Sequence, residues 1–443
     1  MEERDFIVTP IIIFLVYVGA YLVRPYVTDT INRRYFFPAL TVRIIGALAL
    51  GFIYQFYYGG GDTFNYHTIG SRFVWEAFME SPVKGFRLLF SDGASSSGVH
   101  EYASKIYFFR DPSSYFVIRI AAIFDLITFS AYSATAVLFS VVSFIGMWML
   151  FLTYYKQYPD KHLGIAVATF FIPSVFFWGS GLLKDTLIIS CLGICTYCIY
   201  RLFVERQISF WGIVMLVTSL FVIYRVKIFV LQAYLPAVII WIMAFNFVSI
   251  RSSLLKVMIV PFAIAIVFIS GYYAVMKVGE NDAKYSIDSI GKTAQITAYD
   301  IRFWSGREAG SGYTIDVSDW TPVGMLAAAP AAINVALFRP YLWEVRNPLM
   351  LISALESLFL LVFSLYVFFK SFRYIFSLGG NANVLFCLTF SLTFAFAVGI
   401  STFNFGTLTR YKIPLLPYYF LALIIMLDYS NKAKKVEAFE VTE

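Results

Sequence analysis

Charged residues and cysteines are scarce in this sequence. Asp, Glu, Lys and Arg make up 14% of its 443 residues, whereas soluble domains average about 25%. Three of the four cysteines (Cys191, Cys195 and Cys198) lie in one apolar segment without a neighbouring His or carboxylate, so we predict no metal site there. Walker and His-Glu-x-x-His motifs are also absent, which leaves an ATPase or a zinc hydrolase without support.

The chain is instead rich in apolar side chains. Hydrophobic residues form 60% and aromatic residues 19% of the chain, more than a water-soluble fold could bury. The sequence therefore predicts an all-α protein, a polytopic transmembrane helical bundle of about eleven spans in one integral membrane domain over residues 1–443. The predicted spans are 6–23, 39–57, 134–155, 162–178, 181–203, 209–225, 229–247, 257–275, 348–369, 382–402 and 412–428.

Two further apolar stretches, Tyr115–Ser130 and Thr321–Phe338, either cross the bilayer or lie in its interface. If neither crosses, the basic residues of the short loops gather on the cytoplasmic side. We then expect residues 59–133 and 276–347 to form two long extracytoplasmic loops that carry short interfacial helices. The net charge of +7 is spread over the short loops, which favours contact with membrane lipid and not with nucleic acid.

A glycine-rich cluster follows the second predicted span. Gly59, Gly60 and Gly61 let the backbone turn sharply and precede Asp62, with His67 five residues further on. At the membrane surface, Asp62 could act as a general base on a substrate hydroxyl, with His67 in the substrate site. Alternatively, Asp62 caps the helix that follows.

A second cluster joins two predicted spans by a very short turn. Residues 173–185 place Lys184 and Asp185 at the start of the next helix, close to the bilayer. Charges at that depth are costly, and they are functional or paired. We predict a phosphate site at Lys184 and Asp185, or else a pair that only fixes the turn.

Isolated basic residues form a third set near span ends on the predicted outer face. Arg225, Arg339 and Arg410, the last with Lys412, lie where the positive-inside rule disfavours them. A phosphate or pyrophosphate headgroup would supply the missing counter-charge. The alternative is an arginine that snorkels to the interface or pairs with Glu344, Glu356 or Asp185.

Three short motifs together resemble glycosyltransferases of the GT-C type and related polytopic sugar-transfer proteins. Residues 61–66 (Gly-Asp-Thr-Phe-Asn-Tyr) resemble their acidic loop motif, Gly-Asp-x-x-x-Tyr. Residues 173–185 resemble their Pro…Phe-Trp-x-Ser-Gly-x-x-Lys-Asp turn. Residues 410–417 (Arg-Tyr-Lys-Ile-Pro-Leu-Leu-Pro) resemble the opening of their last span.

The resemblance implies a membrane glycosyltransferase of a bacterial inner membrane. Its donor is a polyprenyl-phosphate-linked sugar, and its acceptor is an extracytoplasmic glycan or lipid. Asp62 would be the catalytic base, with Lys184 and Arg410 near the leaving phosphate. The acidic loop here follows the second span, not the first, and lacks a second acidic motif, which leaves the use of a divalent metal open.

Three other functions stay open. An O-antigen or exopolysaccharide polymerase uses polyprenyl-pyrophosphate-linked sugars and outer-face arginines, and it does not need a catalytic carboxylate. A transporter of lipid-linked sugars or solutes would line a path with these charges without chemistry. A structural subunit of an envelope complex would need none of them.

Overall fold

The computed structural model describes residues 2–93, 95–248, 290–301, 303, 311–317 and 319–440. Throughout these residues the regular secondary structure is helical, and the one β-contact is an isolated bridge between Gly312 and Asn404. Seven of the described helices are long and apolar enough to cross a membrane, or eight if a bent pair counts as one span. The chain is therefore an integral membrane protein, and the predicted all-α, polytopic class is confirmed.

The chain forms two compact units. The first contains Met1–His162, Thr169–Tyr200 and Ile208–Lys227, and the second contains Leu163–Ala168, Arg201–Gln207 and Ile228–Glu443. The helices up to the end of the first unit are α1 (Glu3–Val27), α2 (Arg33–Phe56), α3 (Asp62–Tyr66), α4 (Arg72–Glu80), α5 (Pro82–Phe90), α6 (His100–Ala103), α7 (Pro112–Thr128), α8 (Tyr132–Gln157), α9 (His162–Phe170), α10 (Pro173–Trp178), α11 (Lys184–Ile199) and α12 (Phe210–Val226).

Helix α8 is the centre of the first unit and packs against α1, α2 and α11. Its contact with α11 is close because a Cβ atom on Gly146 would overlap the backbone of Ser190, and one on Gly193 would overlap the backbone of Gly146. Further along both helices, the Lys156 ammonium lies 5.8 Å from the ring centroid of Tyr197. Residue numbers thus rise together on α8 and α11, so the two helices run parallel.

Helix α7 begins and ends on one side of the first unit. It begins beside the start of α11, where Lys184 Nζ donates a hydrogen bond to Ser113 Oγ. It ends at Thr128, and α8 begins at Tyr132. Because α8 and α11 are parallel, their starts share a side. This geometry favours the expectation that Tyr115–Ser130 does not cross the bilayer.

The span predicted over residues 162–178 is not one continuous helix. Helix α9 ends at Phe170 and α10 begins at Pro173, since proline has no backbone N–H and disfavours a helical residue before it. Arg43, fully buried in α2, binds the segment on both sides of this break. Its guanidinium donates to the carbonyl oxygens of Thr169, Val175 and Gly179 at 3.1–3.3 Å. Val175 and Gly179 each have a second donor as well, because the Val175 oxygen also accepts from the backbone N–H of Gly179 and the Gly179 oxygen also accepts from Ser143 Oγ.

The second unit is also helical and contains a bent segment. Helices α20 and α21 meet at an angle of 67° around residues 412–415, within the span predicted over 412–428. The span predicted over 257–275 lies outside the described residues. The helices of the second unit are α13 (Ile228–Val248), α14 (Ile290–Ile301), α15 (Pro322–Ala327), α16 (Ala329–Phe338), α17 (Pro348–Ser371), α18 (Ile375–Leu378), α19 (Ala382–Thr402), α20 (Phe405–Tyr411) and α21 (Leu416–Glu440).

The remaining expectations concern shorter segments. Helix α12 matches the span predicted over 209–225, but its 17 residues are fewer than the roughly 20 that a straight span needs. Thr321–Phe338 forms two short helices, α15 and α16, interrupted before Pro330. Residues 59–133, predicted to form a long loop, contain α3 to α7.

Apolar side chains cover the outside of helices that a soluble protein could not leave bare. Phe6, Phe14 and Leu22 of α1 are exposed, and so are Phe359 and Phe369 of α17. Lipid is as apolar as these side chains, so their exposure costs little within a membrane.

Replacing Arg43 with Met should destabilise the first unit. The change removes three buried hydrogen bonds from a charged group to backbone carbonyl oxygens, so we expect the free energy of unfolding to fall by about 2–5 kcal/mol. Titration with a denaturing detergent measures it. Arg33→Met, at the exposed start of α2, is the matched control and should change it by less than about 0.5 kcal/mol. Equal stability of the two variants would contradict the role of Arg43.

Candidate functional site

Asp62 begins helix α3 at the end of the glycine turn. Gly59, Gly60 and Gly61 have φ angles of 69°, 139° and 128°, in the region that favours glycine. A Cβ atom on Gly61 would also lie 2.8 Å from the ring of Tyr54, so this position excludes a side chain for a second reason. The turn directs the chain from α2 into α3 and leaves Asp62 half-buried at the helix start.

Lys184 lies at the first residue of α11, against the start of α7. Its Nζ atom donates to Ser113 Oγ at 2.6 Å and lies 3.5 Å from Asp111 Oδ2. Asp62 also interacts electrostatically with this ammonium group. The starts of α3, α7 and α11 thus bring two carboxylates and one ammonium group together, and most of the lysine side chain is buried.

Asp111 holds the other side of Lys184. As the N-cap of α7 it accepts hydrogen bonds from the backbone N–H groups of Ser113 and Ser114. Burial alone would raise the pKa of Asp111. The charge of Lys184 and the hydrogen bonds from the two serines outweigh burial and hold the pKa below its usual value. Asp111 is therefore ionised and fixes the ammonium in place.

Asp185, the next residue, has a separate partner. Its Oδ1 atom accepts from Lys227 Nζ at 2.5 Å, and both side chains are almost completely buried. A buried pair of this kind is self-neutralising. The structure therefore favours the pairing that the sequence left as an alternative for Asp185, and Lys184 is the group that faces Asp62.

Arg225, in the last turn of α12, approaches Arg119 of α7. Phe116 and Phe221 join the two helices with their ring centroids 6.0 Å apart. Arg119 follows Phe116 by three residues and Arg225 follows Phe221 by four, so each arginine lies on the same helix face as the nearby phenylalanine. The two guanidinium groups interact electrostatically.

His67 is fully buried beside Asp125, not at the surface with Asp62. Its Nε2 atom lies 3.4 Å from Asp125 Oδ1, and neither ring nitrogen has a hydrogen-bond partner among the described residues. Asp125 accepts hydrogen bonds of 2.6 Å from both Ser71 Oγ and Thr135 Oγ1. This network ties the segment after α3 to α7 and α8. A direct contact of His67 with substrate stays a prediction.

The other predicted residues lie in the second unit. Arg339 forms an ion pair with Glu344 and lies over the rings of Tyr313, Tyr341 and Phe405. This is the pairing that the sequence offered as an alternative for Arg339.

Arg410 and Lys412 lie where α20 ends. Lys412, at the bend between α20 and α21, is buried, and its Nζ atom donates to Ser357 Oγ at 3.1 Å. Glu356 of α17 interacts electrostatically with it. Arg410 is in the last turn of α20 and half-buried.

Metal ligands do not gather in the part of the chain that the structure describes. No group of three His, Cys, Asp or Glu side chains there is arranged to hold a metal ion. Cys191, Cys195, Cys198 and Cys387 are buried free thiols. The positive charge of the described site comes from lysine and arginine.

Comparisons with known proteins give no relative. No protein-family model, no curated protein and no solved structure matches this chain. Function is therefore inferred from the site itself.

Three contributors to the site were missed in the sequence. Asp111 and Ser113 carried a signal, because Asp-Pro-Ser-Ser at 111–114 is a typical helix start. Asp125 is an acid within an apolar stretch, which indicates a special environment. Its partners are distant in sequence, so the sequence does not identify them. Only the fold shows that Asp111 meets Lys184 and that Asp125 meets His67.

Removing the carboxylate of Asp125 should destabilise the first unit. Asp125→Ala leaves two buried hydroxyl groups without their acceptor, and we expect the free energy of unfolding to fall by about 2–4 kcal/mol. Asp160→Ala removes an exposed carboxylate and should cost less than about 0.5 kcal/mol in the same denaturation experiment. A variant of Asp125 as stable as this control would exclude the network as a structural element.

Asp111 should make the first unit sensitive to acid. Its folded-state pKa is lower than the ordinary value of 3.8, so its stabilising contribution is complete above about pH 3.8 and is lost as the pH falls further. We expect the thermal midpoint of wild type to drop more between pH 6 and pH 3 than that of Asp111→Asn. Asp160→Asn should follow wild type. Identical acid profiles for all three proteins would contradict this assignment.

Proposed function

We propose that the chain is a membrane glycosyltransferase that transfers a sugar from a polyprenyl-phosphate-linked donor to an extracytoplasmic glycan or lipid acceptor. One observation carries the proposal. A half-buried carboxylate, Asp62, interacts with an ammonium group, Lys184, that other residues hold in place where several helix ends meet. Such a pair supplies both groups that sugar transfer from a phosphate ester requires, a base and a phosphate-binding cation.

The reaction needs a base for the acceptor hydroxyl. Asp62 accepts the proton of that hydroxyl while its oxygen attacks the anomeric carbon of the donor. The bond between the anomeric carbon and the phosphate oxygen breaks, and the phosphate leaves with the electron pair. Asp62 is suited to this task because the three glycines before it have no side chains that would obstruct a substrate.

The leaving phosphate needs positive charge that is already in position. Lys184 is held by Ser113 and Asp111, so its ammonium group does not have to reorganise as negative charge develops on the phosphate. Its place at the start of α11 adds the backbone N–H groups of a helix N-terminus, which favour phosphate binding. The neighbouring Asp185–Lys227 pair fixes the start of the helix, and Asp185 does not neutralise Lys184 because its partner is Lys227.

The membrane setting completes the proposal. Seven long apolar helices provide a lipid-facing surface along which a polyprenyl chain can diffuse. Polyprenyl phosphates carry sugars for cell-envelope polysaccharides in bacteria, so we assign the protein to the bacterial inner membrane.

Activity of two variants tests the proposal. In protein that still inserts into the membrane, Asp62→Asn should lower the rate of sugar transfer by about 10²–10⁴-fold. Lys184→Gln should lower it by about 10²-fold, because it removes one preorganised cation. The readout is transfer from radiolabelled lipid-linked sugar to membrane glycan, together with the lipid-linked intermediates that accumulate in a deletion strain.

The exposed residues Asp160 and Arg33 supply matched controls. Asp160→Asn and Arg33→Gln make the same changes of charge away from the site and should retain full activity. Wild-type rates in both Asp62→Asn and Lys184→Gln would exclude the proposed roles. A ladder of products would identify a polysaccharide polymerase, and a single addition would identify a transferase that adds one sugar.

A transporter of lipid-linked sugars is the second candidate. Two interrupted apolar segments favour it, α9–α10 with its break before Pro173 and α20–α21 with its bend of 67°. A purified protein that moves a lipid-linked sugar across vesicles without breaking the glycosidic bond would establish this alternative.

A further inference from the structure

Four basic side chains form a row in the first unit. Lys184 at the start of α11 interacts electrostatically with Lys227, which follows the end of α12. Arg225 precedes Lys227 by two residues, and it interacts with Arg119 on α7. Like charges that approach each other are unfavourable unless something of opposite sign compensates them.

The compensation within this row is uneven. Asp111 accompanies Lys184 and Asp185 accompanies Lys227. Arg225, by contrast, is half-buried and forms no ion pair or hydrogen bond with any residue that the structure describes. Arg119 has one carboxylate nearby, Asp92, which interacts with it electrostatically. Two arginines against one carboxylate leave this end of the row with an excess of positive charge.

Arg119 is only partly satisfied by its surroundings. One of its terminal nitrogens lies 3.3 Å from the carbonyl oxygen of Ser91 and 3.5 Å from that of Leu89. Its Nε atom is buried without a hydrogen-bond partner in the described chain. Burial lowers the pKa of Arg119, and the nearby charge of Arg225 lowers it further. Both arginines thus keep donors for an anion.

The chemistry of the row matches a diphosphate better than a single phosphate. A guanidinium group binds phosphate oxygens through two parallel hydrogen bonds, whereas an ammonium group acts as a point charge. At one end of the row, Lys184 supplies a point charge. At the other end, past Lys227, whose charge Asp185 neutralises, Arg225 and Arg119 supply two guanidinium groups. A donor with one phosphate uses only the first.

We propose that Arg225 and Arg119 form a second phosphate subsite, so that the donor is a polyprenyl-diphosphate-linked sugar. This inference rests on the proposed function, in which Lys184 holds the phosphate bonded to the sugar. The second phosphate, which links the first to the polyprenyl chain, binds the two arginines. Phe116 and Phe221, which pack α7 against α12, keep the two arginines on one side of the contact.

Binding of two short-chain lipid phosphates tests the inference. Geranyl phosphate and geranyl diphosphate are titrated into the intact protein in detergent, and affinity is measured by calorimetry. Wild type should bind the diphosphate about tenfold more tightly, since one additional charge-assisted contact has about that effect. Arg225→Gln and Arg119→Gln should each reduce this preference and leave binding of the monophosphate unchanged.

Two further variants separate this inference from the proposed function. Lys184→Gln should weaken both ligands, and Arg33→Gln should weaken neither. If Lys184→Gln weakens both but Arg225→Gln changes neither, the donor has one phosphate and the second subsite is disproved. If Lys184→Gln changes neither, the proposed function loses its phosphate site. The thermal midpoint of each variant without ligand must match that of wild type. If Arg225→Gln unfolds, Arg225→Lys replaces it.

Membrane phospholipid is the other possible source of phosphate for the two arginines. In nanodiscs, phosphatidylglycerol is compared with phosphatidylcholine as competitor against geranyl diphosphate. Undiminished diphosphate binding in phosphatidylglycerol supports a donor subsite. Competition that disappears in Arg225→Gln would overturn the inference and assign the arginines to lipid headgroups.

Discussion

The guanidinium group of Arg43 is the interaction on which the first unit depends. A charge in an apolar core is tolerated only where hydrogen bonds replace its hydration, and Arg43 finds them at the backbone carbonyls of α9 and α10. These bonds join α2 to the segment before and after its break, where the two short helices end. One of the accepting carbonyls belongs to Gly179, which opens the turn to Lys184. The buried charge in α2 therefore sets where the proposed phosphate site begins.

Charges near the site follow the same constraint by pairing. Asp185 binds Lys227, Asp111 binds Lys184, and Asp125 collects hydroxyl groups beside His67. The pairs fix the helix ends, and the contacts of Lys184 with Asp111 and Ser113 hold its ammonium group in place. A site of this kind is rigid before its substrate arrives, which is the condition for electrostatic stabilisation of a leaving group.

Sequence reasoning located several parts of this arrangement for physical reasons. Asp62 and Lys184 are candidate site residues in the sequence because Asp62 follows an apolar run and Lys184 precedes one, and charge is unexpected next to such runs. Pro173 indicates a break within residues 162–178. Mean hydropathy over a window stays high on both sides of that break, so it predicts one continuous span. The partners Asp111 and Arg119 were not found, because a pair between distant segments leaves no periodicity in the sequence. His67 was placed with Asp62 by proximity in sequence, whereas the helical segment between them turns it towards Asp125.

The glycine contact between α8 and α11 connects the membrane interior with the site at its edge. Lipid gives helices no hydrophobic reason to associate, so this contact depends on how closely the two backbones approach. Ser190, which faces Gly146, is six residues after Lys184, or about 9 Å along the helix axis. A methyl group added at Gly146 or Gly193 would act as a wedge and tilt the start of α11. Loss of function from such a remote change would be mechanical, with every polar group of the site still present.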